Sequence, residues 1–148
     1  MKKLLAITIG QAPRDDMMQQ MLPYLKDFEI VQRGALDGLS KEYIIENFAP
    51  SKGDYILESK LSNGDYVNFS EEKILDRIQQ ILREEENNVD LVLMLCTGVF
   101  EHEFKTKHSI IYPQKLIHPI ISHLVGNTKL VVLNPSEAQI PQSMEKWR

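Results

Sequence analysis

The amino-acid sequence predicts an α/β fold: a mainly parallel sheet flanked by helices, carrying one antiparallel hairpin. Two observations carry this prediction. Strand candidates at 4–9, 90–95 and 129–133, each built on an apolar run, alternate with segments whose apolar residues recur at helical spacing, as expected when strands are buried on both faces between crossover helices. In between, YILESKLSNGDYVNFS places two partly alternating arms around Asn63-Gly64, the signature of a hairpin with a type I′ turn.

Taken in order, Leu4 to Ile9 reads as the first strand and Gly10 closes it. Pro13 then suits a first helical turn, where a missing N–H is tolerated. Asp15 and Asp16 follow where carboxylates favour the positive end of a helix dipole, and Met17, Met18, Met21, Leu22 and Leu25 form the apolar stripe. Phe28 to Arg33 is a weaker strand. Ser40 is placed to cap a helix whose apolar side is Tyr43, Ile44, Ile45 and Phe48, stopped by Pro50 and Gly53. After the hairpin, Ser70 is expected to cap a helix with Glu71 and Glu72 in its first turn and Ile74, Ile78, Ile81 and Leu82 on its inner face. Asp90 to Leu95 is the second buried strand. His118 to Val125 reads as a helix with Pro119 in its first turn, ended by Gly126-Asn127. Lys129 to Leu133 is a third buried strand, and Gln142 to Trp147 a short last helix.

The 148 residues suit one ordinary domain, and 43% apolar with 26% charged residues describes a globular chain. Net charge is −4, with a pI near 5.6 and no clustering of Lys and Arg, which argues against a nucleic-acid partner. One cysteine allows no internal disulfide, so a reducing cytoplasm is the expected location. MKKLLAITIG resembles a secretion signal only briefly, because its apolar run is short and passes into Gln11-Ala12-Pro13-Arg14 without a small-residue cleavage site. No segment reaches the roughly twenty apolar residues that cross a bilayer, so no membrane partner is expected.

Ligands of parallel sheets collect at the carboxyl ends of the strands, which singles out three loops. In TIGQAPRDD, Thr8, Gln11 and Arg14 could hold a small anion beside free helix N–H groups, or Arg14 and Asp15 could simply cap and salt-bridge a surface helix. The loop matches neither a dinucleotide fingerprint nor a phosphate-binding P-loop. In LCTG, Cys96 leaves a strand directly before Thr97 and Gly98. A helix N-terminus there would lower the thiol pKa and make it reactive; a buried core cysteine is the plainer alternative. His102 and His108 are candidate partners for Cys96, and the four histidines lack the spacing of a metal site, so no metal is expected. In NPSEAQIPQ, Ser136 and Glu137 could face the same crevice or merely cap a helix.

The ordered blocks ITIGQAPRDDM, GALDGLSKEYIIENFAP, YILESKLSNGDYV, DLVLMLCTG and VVLNPSEAQIPQSMEKW make the sequence resemble the AroM family through nearly its whole length. That family is in turn similar to the aspartate/glutamate/hydantoin racemase superfamily. The resemblance implies two α/β lobes with a site between them, and one cysteine per lobe exchanging an α-proton without a cofactor. Cys96 falls where the first-lobe cysteine is expected, with Thr in place of the usual Asn after it. On this comparison residues 1–128 form the first lobe and 129–148 only begin the second, whose cysteine is absent. A two-base exchange needs groups on both faces of the α-carbon, so one cysteine cannot perform it alone. The implied function is binding of a small carboxylate or related anion, with Arg14, Gln11 and the Thr97-Gly98 backbone as ligand groups and Cys96 as the proton-transfer candidate. A non-catalytic binding or regulatory module, or a self-associating remnant of a two-lobe protein, is the alternative. The strand at 129–133 is expected to join the main sheet or to pair with a second copy, and a homo-oligomer is the expected assembly.

Overall fold

A computed structural model describes residues 1–148. Four parallel strands form the central sheet in the order β2-β1-β5-β6: β1 Lys2–Thr8, β2 Phe28–Gly34, β5 Leu91–Leu95 and β6 Ile110–Ile111. The antiparallel hairpin, β3 Ile56–Lys60 and β4 Tyr66–Ser70, forms a separate sheet. Five helices complete the chain: α1 Asp15–Met21, α2 Lys41–Phe48, α3 Leu75–Glu85, α4 Pro113–Val125 and α5 Ile140–Lys146. The α/β architecture is the one the apolar runs predict. No helix is long and apolar enough to cross a membrane.

Side chains alternate across a strand, and β1 and β5 are apolar on both faces for that reason. Leu5, Ile7, Val92 and Met94 face a large core shared with α3 and the hairpin. Leu4, Ala6, Leu93 and Leu95 face the opposite side, where Met18 of α1 covers them. The hairpin sends Leu57, Val67 and Phe69 into the large core, and α3 contributes Ile78, Ile81 and Leu82 as its spacing predicts. Ser40 caps α2, its Oγ accepting from Tyr43 N at 3.2 Å.

Several expectations are corrected. Pro13 precedes the first helix instead of entering it: it follows a cis Ala12–Pro13 bond, and the Arg14 carbonyl accepts the first helical bond from Met18 N at 2.9 Å. The hairpin turn is not type I′, which needs two positive φ angles. Only Gly64 has one (+93°), after a tight turn in which Gly64 N donates to Leu61 O. Ser70 ends β4 and caps nothing; a single 3-10 turn at Glu72–Ile74 leads into α3. The fourth helix begins five residues before His118, so Pro119 lies inside it. The largest change concerns Lys129 to Leu133, which forms no strand and does not join the main sheet. β6 already takes the edge of β5, and the segment is left with Val131 83% and Leu133 91% exposed.

Candidate functional site

The first two loops converge because β1 and β5 are parallel neighbours whose carboxyl ends lie side by side. Gly10 permits this packing: a Cβ there would stand 2.1 Å from Ser59 Oγ, so the loop after β1 lies directly against β3. Beneath it, Thr8 is buried and its Oγ1 accepts from Gly10 N at 3.2 Å. Gln11 is a structural clamp. Its Nε2 donates to Leu36 O (3.1 Å) and Leu39 O (2.8 Å), and its Oε1 accepts from Ser62 N (2.8 Å) and Ser62 Oγ (2.9 Å). A ligand would have to break one of these bonds to use its amide.

Arg14 stands at the mouth. Its Nε and Nη2 each donate to Asp16 at 2.9 Å, and Nη1 reaches Ser59 Oγ at 3.5 Å. The hydrogen-bonded carboxylate raises the arginine pKa, and the arginine lowers that of Asp16. The alternative read from the sequence, a surface-helix cap and salt bridge at Arg14 and Asp15, is realised only as an ion pair, and with Asp16 instead. It still leaves Arg14 lining a cleft of about 460 Å³ with Ser59, Tyr66, Cys96 and Thr97.

Cys96 and Thr97 also line a second cavity of about 280 Å³, together with Gly98, Tyr55, Gln114 and Lys146. No helix follows Cys96, so the dipole that would lower its pKa is missing. Burial instead pushes the thiol up to about 11; Gly98 N, which donates to Sγ at 3.2 Å, and the nearby Lys146 act downward, and Glu71 acts upward. Glu71, expected as a first-turn residue, is raised to about 7 by burial and by Glu101, and its Oε2 is buried without a partner. Burial also raises the Tyr55 phenol.

Lys146 arrives from the far end of the sequence. The Gln142 amide clamps α5 to the free edge of β3, accepting from Ile56 N at 2.9 Å and donating to Ile56 O at 2.7 Å. That places Lys146 Nζ 2.5 Å from Thr97 O. His118 Nε2 donates to Lys146 O at 3.0 Å and its ring stacks on Trp147. Sequence reasoning missed Lys146, Gln114, Tyr55 and Glu71 as neighbours of Cys96.

The remaining candidates lie elsewhere. Ser136 and Glu137 line a larger cleft of about 800 Å³ between α4 and the last helix, which does not include Cys96. His108 Nε2 bonds Glu86 O at 2.7 Å and His102 packs on Phe104; neither lines a cleft with Cys96, so the structure forms no Cys–His dyad. No three His, Cys, Asp or Glu side chains gather where they could hold a metal ion.

Comparison with curated proteins and with solved structures finds no match to this chain. The family model described as AroM protein matches residues 4–148, so the chain belongs to the AroM family.

Proposed function

We propose that this AroM-family chain binds a small carboxylate or related anion in the crevice at the carboxyl ends of β1 and β5, with Cys96 as the group that passes a proton. The observation that carries this reading is the Cys96–Thr97 wall, common to two clefts, one bearing the Arg14 guanidinium and the other the Lys146 ammonium. Strand-end crevices of parallel sheets are where such sheets take ligands, and cations beside a partly apolar cavity select anions. A thiol with a pKa of about 11 is protonated at neutral pH. Cys96 therefore begins as a donor, and its return to a base requires the thiolate that Lys146 favours.

Added malonate or isovalerate should shift the amide resonances of Cys96, Thr97 and Gly98, and amino acids incubated with the protein in D₂O should acquire α-deuterium that Cys96→Ser abolishes. Carboxylates that bind at a site remote from these amides would sink the reading. Binding without deuterium exchange supports a non-catalytic binding module, which the raised thiol pKa favours.

The reading includes self-association. Leu124, Val131 and Leu133 leave apolar surface open on α4 and the segment after it, the kind of patch that a second copy covers. Sedimentation should give a dimer or larger species, and the double change Val131→Lys, Leu133→Lys should shift it towards monomer. A monomer at every concentration would contradict it.

A further inference from the structure

α4 is open on two opposite sides. Its residues, PQKLIHPIISHLV, include no Asp or Glu and a single Lys. Leu116, Ile120 and Leu124, four residues apart, form a stripe that is 59, 59 and 76% exposed. The side of the helix about 190° away carries His118, Ser122 and Val125, which line the 800 Å³ cleft opposite Leu133, Ile140 and Met144. A helix that is apolar round most of its surface belongs in an interior. No rotation of α4 achieves that within one chain, because turning the stripe into the cleft turns the other side out.

The surface area says how much cover is missing. A folded monomer of 17.1 kDa exposes about 7,750 Å², and this chain exposes 9501 Å². The excess of about 1,750 Å² is more than the ~800 Å² that each chain buries in an interface of standard size. It is concentrated here: nine of the fifteen exposed large apolar side chains lie between Leu116 and Met144.

The same chain holds what would fill the cleft. Apolar grooves take helices through residues at i, i+4 and i+8, the spacing of the Leu116 stripe. Two turns of helix, 10 Å across, occupy about 850 Å³, close to the cleft volume, and Leu116 to Leu124 spans a little over two turns. Across a two-fold axis the exchange is reciprocal and closed: each α4 lies between the α4 and the α5 of the other copy, so both of its sides are covered.

We infer that the cleft between α4 and α5 is the homodimer interface, filled by the Leu116–Ile120–Leu124 stripe of a second copy, with its own stripe inserted in return. This rests on the self-association reading above and assigns it a place and a geometry.

Sedimentation of the full chain should show a dimer whose dissociation constant rises about thirtyfold or more in Ile120→Lys. Tyr24→Lys, at an apolar position that is 88% exposed outside this face, should leave it unchanged. Crosslinking reads the geometry and needs no charged residue that could unfold the dimer. Chains carrying Ile120→Cys or Met144→Cys, each with Cys96→Ser and a different size tag, are mixed and oxidised with copper phenanthroline. A disulfide joining the two tags is expected, and Tyr24→Cys mixed with Met144→Cys should give none. A dimer that ignores Ile120→Lys and forms no 120–144 crosslink overturns the cleft assignment and leaves the broader self-association reading standing. A dimer that Ile120→Lys breaks without that crosslink places the stripe in an interface outside the cleft, which also overturns it. A monomer at every concentration up to about 0.5 mM overturns both readings and leaves the cleft to a different partner.

Discussion

Phe69→Ala should destabilise the protein by about 3–5 kcal/mol, the largest single-residue loss expected in this fold. Phe69 is fully buried and belongs to the large core, pairing across the hairpin with Leu57. Truncation removes its transfer free energy and leaves a cavity that the surrounding β1, β5 and α3 side chains can only partly fill. Against a typical total of about 5–15 kcal/mol, that loss is severe. Urea unfolding should show a lower midpoint at nearly unchanged slope, and Asn68→Ala on the exposed face of the same strand should stay within about 0.5 kcal/mol. The consequence reaches the site, because β3 carries Ser59 beside Arg14 and the Ile56 backbone that holds α5. Phe69→Ala should therefore also alter Trp147 fluorescence before global unfolding. A loss below about 1 kcal/mol would mean that the hairpin is not part of the cooperative core.

The parts of the fold legible in the sequence are those where local pattern and burial agree. The apolar runs of β1 and β5, the Ser40 cap of α2 and the inner stripe of α3 all appear where periodicity puts them. The start of α4 was hidden for a reason connected with the site. Its inward stripe runs through Gln114, His118, Ile121 and Val125, and the first two are polar because one lines the cavity and the other bonds Lys146 O. A helix whose buried face is partly polar does not show an apolar moment along its whole length. Lys129 to Leu133 fails in the opposite sense. An apolar run states a tendency to be buried, not which edge will accept it, and here β6 already holds the edge of β5.

The site divides similarly. Cys96 at a strand's carboxyl end follows from the run that precedes it, and its approach to the Arg14 loop follows from the parallel pairing of β1 and β5. Lys146 could not be read in advance, since it reaches Thr97 only through the Gln142 clamp on Ile56, contacts separated by 49 and 86 residues. Glu71 looked like a helix-dipole carboxylate, yet it follows β4 directly and is enclosed near the Cys96 loop. The expectation of an activated thiol failed because it required a helix after Cys96, and the chain there is a loop.

Glu71→Gln should remove a pH dependence from both stability and thiol reactivity. The Glu71 pKa stands at about 7, against an ordinary value of 4.5, through burial first and the Glu101 charge second. Below pH 4.5 the group is protonated whether the chain is folded or not, and stability is at its full value. Between 4.5 and about 7 the folded state holds the proton more tightly than the unfolded state, so stability falls as pH rises. Above 7 the loss is complete, and solvent around this half-open side chain limits it to about 1 kcal/mol. The glutamine variant should lose this slope and be more stable by about that amount at pH 8. Burial first, with this carboxylate adding to it, holds the Cys96 thiol at about 11 in place of 9.0, which leaves about a hundredth of the usual thiolate at pH 8. Iodoacetamide should therefore alkylate the wild-type protein about a hundred times more slowly than an ordinary thiol. The ratio of variant to wild-type rates should climb from about one at pH 5 to a few-fold at pH 8, as Glu71 acquires its charge. A ratio that stays flat across that range would show that Glu71 does not act on Cys96, while a persistent stability slope in Glu71→Gln would assign the titration to another group. If both changes appear together, the Glu71 charge adds to burial in raising the Cys96 thiol.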